Sequence, residues 1–246
     1  MTERTIGIQS SGRTDTGCVR KNNEDSYRCE DSLGLYVVAD GMGGAQAGEH
    51  ASNLAVNAMV DYLSLPNAEL TLVGLQKAFS HANRVVLEAA ATDGRLEGMG
   101  TTLVVALVSG NDLLLGSVGD SRAYAINGSG QLCALTEDQS WVNEIGRLQL
   151  GLDVETLRKH PMRHVLTMAI GVGEPVRVNS YRYPLQPGMI VMMCSDGLHG
   201  VVPEELIAHT LRSGSDLDEK CQRLIQLARE NGGPDNITVV LLRPRP

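Results

Sequence analysis

Three apolar segments of the chain end on an aspartate: LYVVAD at Asp40, LLLGSVGD at Asp120 and IVMMCSD at Asp196. A fourth acid, Asp235, stands just before the last apolar run. A strand with an acid at its tip places that acid reproducibly. Several such tips at one edge would gather mutually repelling oxygens, and such a cluster demands a cation. All-oxygen ligation selects a hard divalent ion, Mg²⁺ or Mn²⁺, which keeps several of its waters. Asp-Gly after a strand is also an ordinary turn signal; the argument for metal is that four aspartates share the pattern, three of them on matched apolar strands. A stretch nearer the N-terminus, Val19-Arg20-Lys21-Asn22-Asn23-Glu24-Asp25, adds two acids and an arginine. In a strand Glu24 and Asp25 would point to opposite faces, so at most one would face the site directly. The Arg20 guanidinium is a planar fork that can hold a phosphate with two N–H groups. The plain reading of such a run is an exposed charged turn.

The elements that must position these acids are legible from periodicity. Leu33 to Ala39 (LGLYVVA) reads as a buried strand, followed by a glycine-rich stretch from Gly41 to Gly48. Ala51, Leu54, Ala55, Ala58, Met59, Tyr62 and Leu63 then fall on one helix face, and Pro66 ends that helix. A second amphipathic helix carries Leu72, Leu75, Phe79, Ala82, Val86 and Ala89 and stops before Asp93-Gly94. Strand-like runs follow at Thr101 to Val108, Leu113 to Val118, Arg122 to Ile126 and Gln131 to Leu135, with turns at Asn111-Asp112 and Gly128 to Gly130. Such short connections favour antiparallel pairing. From about Gln139 to Ile170 the chain is charged and broken by Gly151 and Pro161, and reads as a short-helix insertion on the main body. Strands resume at Arg177 to Tyr183 and Ile190 to Ser195. One helix spans Pro203 to Leu211 with proline in its first turn, and another about Asp216 to Glu230, ended by Gly232-Gly233. The last strand is Ile237 to Leu242. There is no regular βαβ alternation, so a layered sandwich on antiparallel sheets, covered by four amphipathic helices, fits better than a doubly wound parallel sheet.

Composition narrows the function. Hydrophobic residues at 42% and charged residues at 20% are ordinary globular values and exclude a disordered or fibrous chain. A net charge of −8 with only 3% aromatics argues against nucleic-acid partners and anionic membranes, since both neutralising charge and stacking rings are scarce. Cys18, Cys29, Cys133, Cys194 and Cys221 are odd in number and without CxxC spacing, which points to a reducing compartment rather than a disulfide framework or zinc site. The sequence begins Met-Thr-Glu-Arg with no apolar signal segment behind it, and no apolar run reaches transmembrane length, so a soluble cytoplasmic protein is expected.

Taken together, VRKNNED (19–25), VVADGMGG (37–44), GMGTTLVVAL (98–107), VGDSRAY (118–124), HPMRHVLTMAIG (160–171), CSDGL (194–198) and GGPDNITVV (232–240) resemble the metal-dependent Ser/Thr protein phosphatases of type 2C, the PPM family, and especially its compact bacterial branch. The pieces occur in family order over nearly the whole chain. The resemblance implies a single domain over residues 1–246 with the α+β, four-layer α-β-β-α sandwich: two central, mainly antiparallel sheets flanked by helix pairs, with a small flap at about 139–170 beside the active site. It implies that Asp40, the Gly41 carbonyl, Asp196 and Asp235 hold two Mn²⁺ or Mg²⁺ ions, that Glu24 engages them through water, and that Asp25 supports the centre from behind. Asp120 with Asp196 would hold a third, weaker ion. Arg20 would bind the substrate phosphate. Water bridging the two ions would lose its proton near neutral pH and attack phosphorus in line with the seryl or threonyl oxygen. The implied partners are phosphorylated proteins, above all a Ser/Thr kinase and its targets.

Two departures stand out. Where many eukaryotic members carry histidine after the Asp-Gly motif, a proposed general acid, this chain has Met42, as in the bacterial branch. A thioether cannot donate a proton. In the flap, Asp138-Gln139-Ser140 stands where relatives usually have Asp-His-Ser, and glutamine does not titrate. Among the six histidines, none with zinc-set spacing, His160 is the one to watch as an acid or a water-positioning group. The alternative reading is a catalytically silent regulator on the same fold; its usual mark is loss of metal aspartates, and all four are present. A two-metal nuclease would want a basic, aromatic groove. A bare metal-binding module would not account for Arg20.

Overall fold

The computed structural model describes residues 7–43, 47–128, 130–148, 160–162 and 165–245. Strands β1 (Ile8–Asp15), β2 (Asp25–Glu30) and β3 (Leu35–Met42) lead into helices α1 (Ala47–Leu63) and α2 (Leu72–Thr92). Strands β4 (Gly100–Thr101), β5 (Leu103–Ser109), β6 (Asp112–Val118), β7 (Arg122–Ile126) and β8 (Leu132–Ala134) follow, then helix α3 (Trp141–Leu148). The chain closes with β9 (Asn179–Pro184), β10 (Ile190–Cys194), a helical turn α4 (Asp196–His199), α5 (Glu204–Arg212), α6 (Leu217–Glu230) and β11 (Ile237–Pro244).

The strands form two sheets. One runs β1-β11-β10-β7-β8; the other runs β2-β3-β5-β6-β9, with β4 pairing to β3. Every pairing is antiparallel. The alternation of side chains explains why these strands are apolar on both faces. On β3, Leu35 and Val37 pack with Ala51, Ala55, Met59 and Phe79 of the first helix pair. Their neighbours Tyr36 and Val38 point the other way, into a core shared with Val191, Met193, Val240 and Leu242 of the second sheet. On β11 the pattern repeats outward: Val239 and Leu241 pack against Leu211, Leu224 and Ala228. Helix, sheet, sheet, helix is the expected four-layer order.

The elements differ from the sequence reading mainly at their ends. Thr71 caps α2, accepting from the Gly74 amide at 3.1 Å, and Asp216 with Glu219 forms a capping box on α6. Pro203 precedes α5 rather than lying inside its first turn. The third acid-tipped strand is a correction: β10 stops at Cys194, Ser195 intervenes, and Asp196 opens a helical turn. Asp120 likewise stands two residues past β6. The insertion read from about Gln139 to Ile170 lies partly outside the described residues, at 149–159 and 163–164, where His164 and Gly151 fall. Its described limbs pair with each other, the Trp141 amide donating to the Val165 carbonyl at 2.8 Å, and meet the body where Thr101 bridges Ile170. His160 stacks on Trp141 with ring centroids 4.3 Å apart.

Candidate metal centre

Asp25 and Asp40 are direct partners across β2 and β3, so two carboxylates share one face of an antiparallel pair. Like charges placed opposite each other destabilise a sheet, yet the main chain holds them there firmly. The Asp40 amide donates to Thr102 Oγ1 at 3.0 Å, and its carbonyl accepts from the Thr102 amide and Thr101 Oγ1, each at 2.9 Å. Asp25 is buried; Ser195 Oγ donates to its Oδ2 at 2.7 Å, while its Oδ1 is buried with no hydrogen-bond partner. Two glycines let the acid-bearing segments approach. A Cβ on Gly41 would lie 2.1 Å from the Gly48 carbonyl oxygen, and one on Gly197 would lie 1.9 Å from that of Asn236. The second contact brings the Asp196 turn against the Asp235-Asn236 segment.

The Asp120 turn is gripped from several sides. His199 Nε2 lies 3.0 Å from the Asp120 carbonyl, so the turn that carries Asp196 also holds Asp120. Gln139 is buried and exchanges main-chain contacts with Gly119: its amide donates to the Gly119 carbonyl at 2.9 Å, and the Gly119 amide donates to its Oε1 at 3.0 Å. Gln139 Nε2 donates to the Arg177 carbonyl at 2.8 Å, and its own carbonyl accepts from the Thr167 amide at 2.9 Å. One glutamine thus ties the Asp120 turn to the returning limb of the insertion.

On the rim, Arg20 Nη2 pairs with Asp235 Oδ2 at 2.8 Å. A guanidinium carries five N–H donors, so this pair engages only part of the fork. Glu24 lies before β2 rather than within it, and it is buried. Strand alternation therefore does not govern Glu24, and both carboxyls feel the charge of Asp235. Asn236 staples this stretch to the last strand, accepting from the Glu24 amide at 2.8 Å and donating to the Thr16 and Asn22 carbonyls at 3.0 and 2.9 Å.

The electrostatics follow from this crowding. Asp25 is pushed up to about 7 by burial, with Asp196 and Asp235 adding to it against the Ser195 and Thr238 hydrogen bonds. Asp40 is held well above the usual carboxylate range by burial and by the charges of Asp25, Asp196, Asp120 and Asp235. Asp120 is raised to about 7 by burial, then by Asp196 and Asp138. Burial also raises Glu24, opposed by Arg20. His199 is driven down to about 4 by burial and Arg122, which keeps it a neutral imidazole at pH 7. Among the described residues no three His, Cys, Asp or Glu side chains are already drawn into a ligating set. The donors are all oxygen, Asp25 Oδ1 is buried without a partner, and burial with mutual repulsion raises the carboxyls, so the set fits a hard divalent cation.

Residues 19–241 match the family described as Protein phosphatase 2C. The chain belongs to the protein phosphatase 2C family. A serine/threonine phosphatase stp of Listeria innocua is 37% identical over 238 residues, covering 94% of this chain and 93% of that protein. The solved structure of the serine/threonine phosphatase Stp1 from Staphylococcus aureus superposes with a TM-score of 0.89 at 30% identity, over 100% of this chain and 98% of that one. The catalytic domain of the serine/threonine phosphatase PstP, solved in complex with two manganese ions, gives a TM-score of 0.83 at 35% identity, over 97% of this chain and 99% of that one. In this member of the 2C family Asp25 and Asp40 lie on one sheet, while Asp196 follows β10 and Asp235 precedes β11 of the other. Sequence reasoning passed over Thr101, Thr102, Ser195, Asn236 and His199 as supports of those acids. A pair of threonines opening an otherwise apolar strand was the one local signal available; the Asn236–Glu24 contact joins residues too far apart in sequence to leave any.

Proposed function

We propose that this phosphatase hydrolyses phosphoserine and phosphothreonine in proteins at the acidic centre, with Mn²⁺ or Mg²⁺ as cofactor. Asp40, the Gly41 carbonyl, Asp196 and Asp235 would hold two ions; Glu24 would reach them through water, Asp25 would support them, and Asp120 with Asp196 would take a third, weaker one. The observation that carries this reading is the pairing of Asp25 with Asp40 across β2 and β3, within electrostatic range of Asp120 and Asp196. Crowding and burial raise these carboxyls, and bound cations would let them ionise fully at neutral pH. The two manganese ions of PstP support the choice of metal.

Bound divalent ions supply Lewis-acid polarisation of the phosphoryl group and a water acidic enough to react at neutral pH. The chain's own groups do the rest. Arg20 would grip the equatorial phosphate oxygens and offset charge as it develops. Ser195 and Asp25 fix the floor beneath the Asp196 turn, and His199 and Gln139 fix Asp120. Met42 has no proton to give, so the leaving serine or threonine oxygen draws its proton from water or from another side chain. We further propose a single catalytic domain over the chain, a flap at about 139–170, opposition to a bacterial Ser/Thr kinase and a cytoplasmic setting. Among the described residues no helix is long and apolar enough to cross a membrane.

The test is phosphate release from a phosphothreonine peptide with and without Mn²⁺. Metal-dependent release is expected, and its absence would favour a silent regulator. The third ion has its own test. Asp120→Ala should keep two tightly bound metals by calorimetry and still lose most turnover; a variant that loses all metal, or keeps full rate, contradicts the role.

A further inference from the structure

Beside the acidic centre lies a cavity of about 280 Å³ that no step of the chemistry uses. One wall is Met42; the other is the returning limb of the insertion, through Leu166 and Met168, with Val172, Glu174 and Pro175 at the mouth. The two walls belong to one hydrogen-bonded surface. Gly41 pairs with Thr101, and Thr101 exchanges both main-chain bonds with Ile170, at 2.9 and 3.0 Å. A Cβ on Gly100 would lie 2.9 Å from both Met42 Cε and Val172 Cγ2, so these two side chains converge over that glycine. Asp40 and Met42 are two residues apart in β3 and therefore on the same face, about 7 Å apart along the strand. Both come to the surface of a strand otherwise buried over Leu35–Ala39.

We propose that this cavity reads the substrate: it takes an apolar side chain two or three residues from the phosphorylated serine or threonine. The inference rests on the catalytic reading above. An extended peptide advances about 3.3 Å per residue, so a side chain two or three positions from the phosphate spans the Asp40 to Met42 offset. The volume lies just below the range of small-molecule sites and suits one side chain. Met42, Leu166, Met168 and Val172 offer apolar surface, and Val172 is 60% exposed, which an apolar occupant would cover. Methionines adapt to differently shaped apolar groups. The Glu174 carboxylate at the mouth turns away acidic neighbours, so the preference is two-sided. Met42, which cannot serve as an acid, thereby gains a role in selecting the substrate.

The experiment uses the full chain with Mn²⁺ on p-nitrophenyl phosphate and on phosphothreonine peptides flanked by serine, carrying leucine, serine or glutamate singly at positions −3, −2, +2 and +3. At one of these positions leucine should raise kcat/KM about tenfold over serine, as filling an apolar pocket does, with glutamate lowest. Val172→Asp, and independently Met168→Ala, should collapse the leucine-to-serine ratio towards one. A ratio within one preparation cancels any loss of folded enzyme, and the second variant answers if the first does not turn over. No release from p-nitrophenyl phosphate by the unaltered protein would strike down the catalytic reading and the pocket with it. Release from it, with leucine, serine and glutamate peptides within twofold at every position, overturns the pocket alone. So does a leucine preference that survives in both variants.

Discussion

Asp25 and Asp40 sit on the floor of the centre, facing each other across β2 and β3, and burial drives both carboxyls upward. Asp235 sits on the rim, partly exposed, with Arg20 at 2.8 Å. On the floor, serine, threonine and main-chain groups steady Asp25 and Asp40. The rim carries its own counter-charge. On the proposed reading the floor would take cations, whereas Arg20 at the rim would exchange Asp235 for an anionic substrate and leave Asp235 to the ions. Catalytic dependence should be steepest at the floor, moderate at the rim, and smallest at the residues that tie the two to the rest of the fold.

The sharpest way to break this contrast is at the Asp196 turn, whose charge reaches Asp25, Asp40 and Asp120. Asp196→Asn should lower turnover more than 100-fold at saturating Mn²⁺, since the residue would serve more than one ion. Activity within about tenfold of the unaltered protein, about 1.4 kcal/mol, would sink the assignment.

At the rim the effect is smaller and of another kind. Arg20→Ala should raise KM about tenfold on a phosphothreonine peptide and lower kcat less than Asp196→Asn does, because grip on the phosphate in the ground state appears chiefly in KM. Arg20→Lys should rescue in part, an ammonium being a point charge without the fork. Unchanged kinetics in Arg20→Ala would reduce it to a surface arginine paired with Asp235.

Gln139 tests the ties. Gln139→Leu removes an acceptor from the Gly119 amide and a donor from the Arg177 carbonyl. The buried Gly119 amide left without a partner costs about 1–3 kcal/mol, so urea unfolding should reveal a loss of that order. The rim arginine, at the surface, should change stability by less than about 0.5 kcal/mol on truncation. Equal losses at the two positions would erase the distinction.

The gentlest probe is pH. The Asp25 and Asp120 carboxyls are raised to about 7 in the folded state, above an unfolded value near 3.9. Between about pH 4 and 7 the folded chain holds more protons than the unfolded one, so these acids make metal-free stability fall as pH rises through that window and level off above it. Mn²⁺ should therefore raise Tm more at pH 7.5 than at pH 5. An equal rise at both would mean that the floor is not short of positive charge.

Local pattern carried much of this in the sequence. The period of 3.6 in α1 and α2, the apolar runs of β3, β5 and β11, and an Asp beside each of three such runs were readable because helices and strands repeat over a few residues. Family order of the motifs then supplied the two-sheet architecture. Element ends were less legible: Asp196 opens a helical turn because Ser195 leaves the strand to bond Asp25, a partner 170 positions away.

The sequence by itself determined which acids this protein has, that they follow apolar elements, and that Met42 and Gln139 replace titratable side chains. Only the tertiary structure decided that Asp25 faces Asp40, that Asn236 holds the Glu24 stretch, that His199 and Gln139 grip the Asp120 turn, and that Met42 forms one wall of a cavity. The reason is physical. Propensity and periodicity act between neighbours in the chain, whereas burial, hydrogen-bond satisfaction and charge repulsion act between neighbours in space, which the sequence brings together only once both sheets have packed.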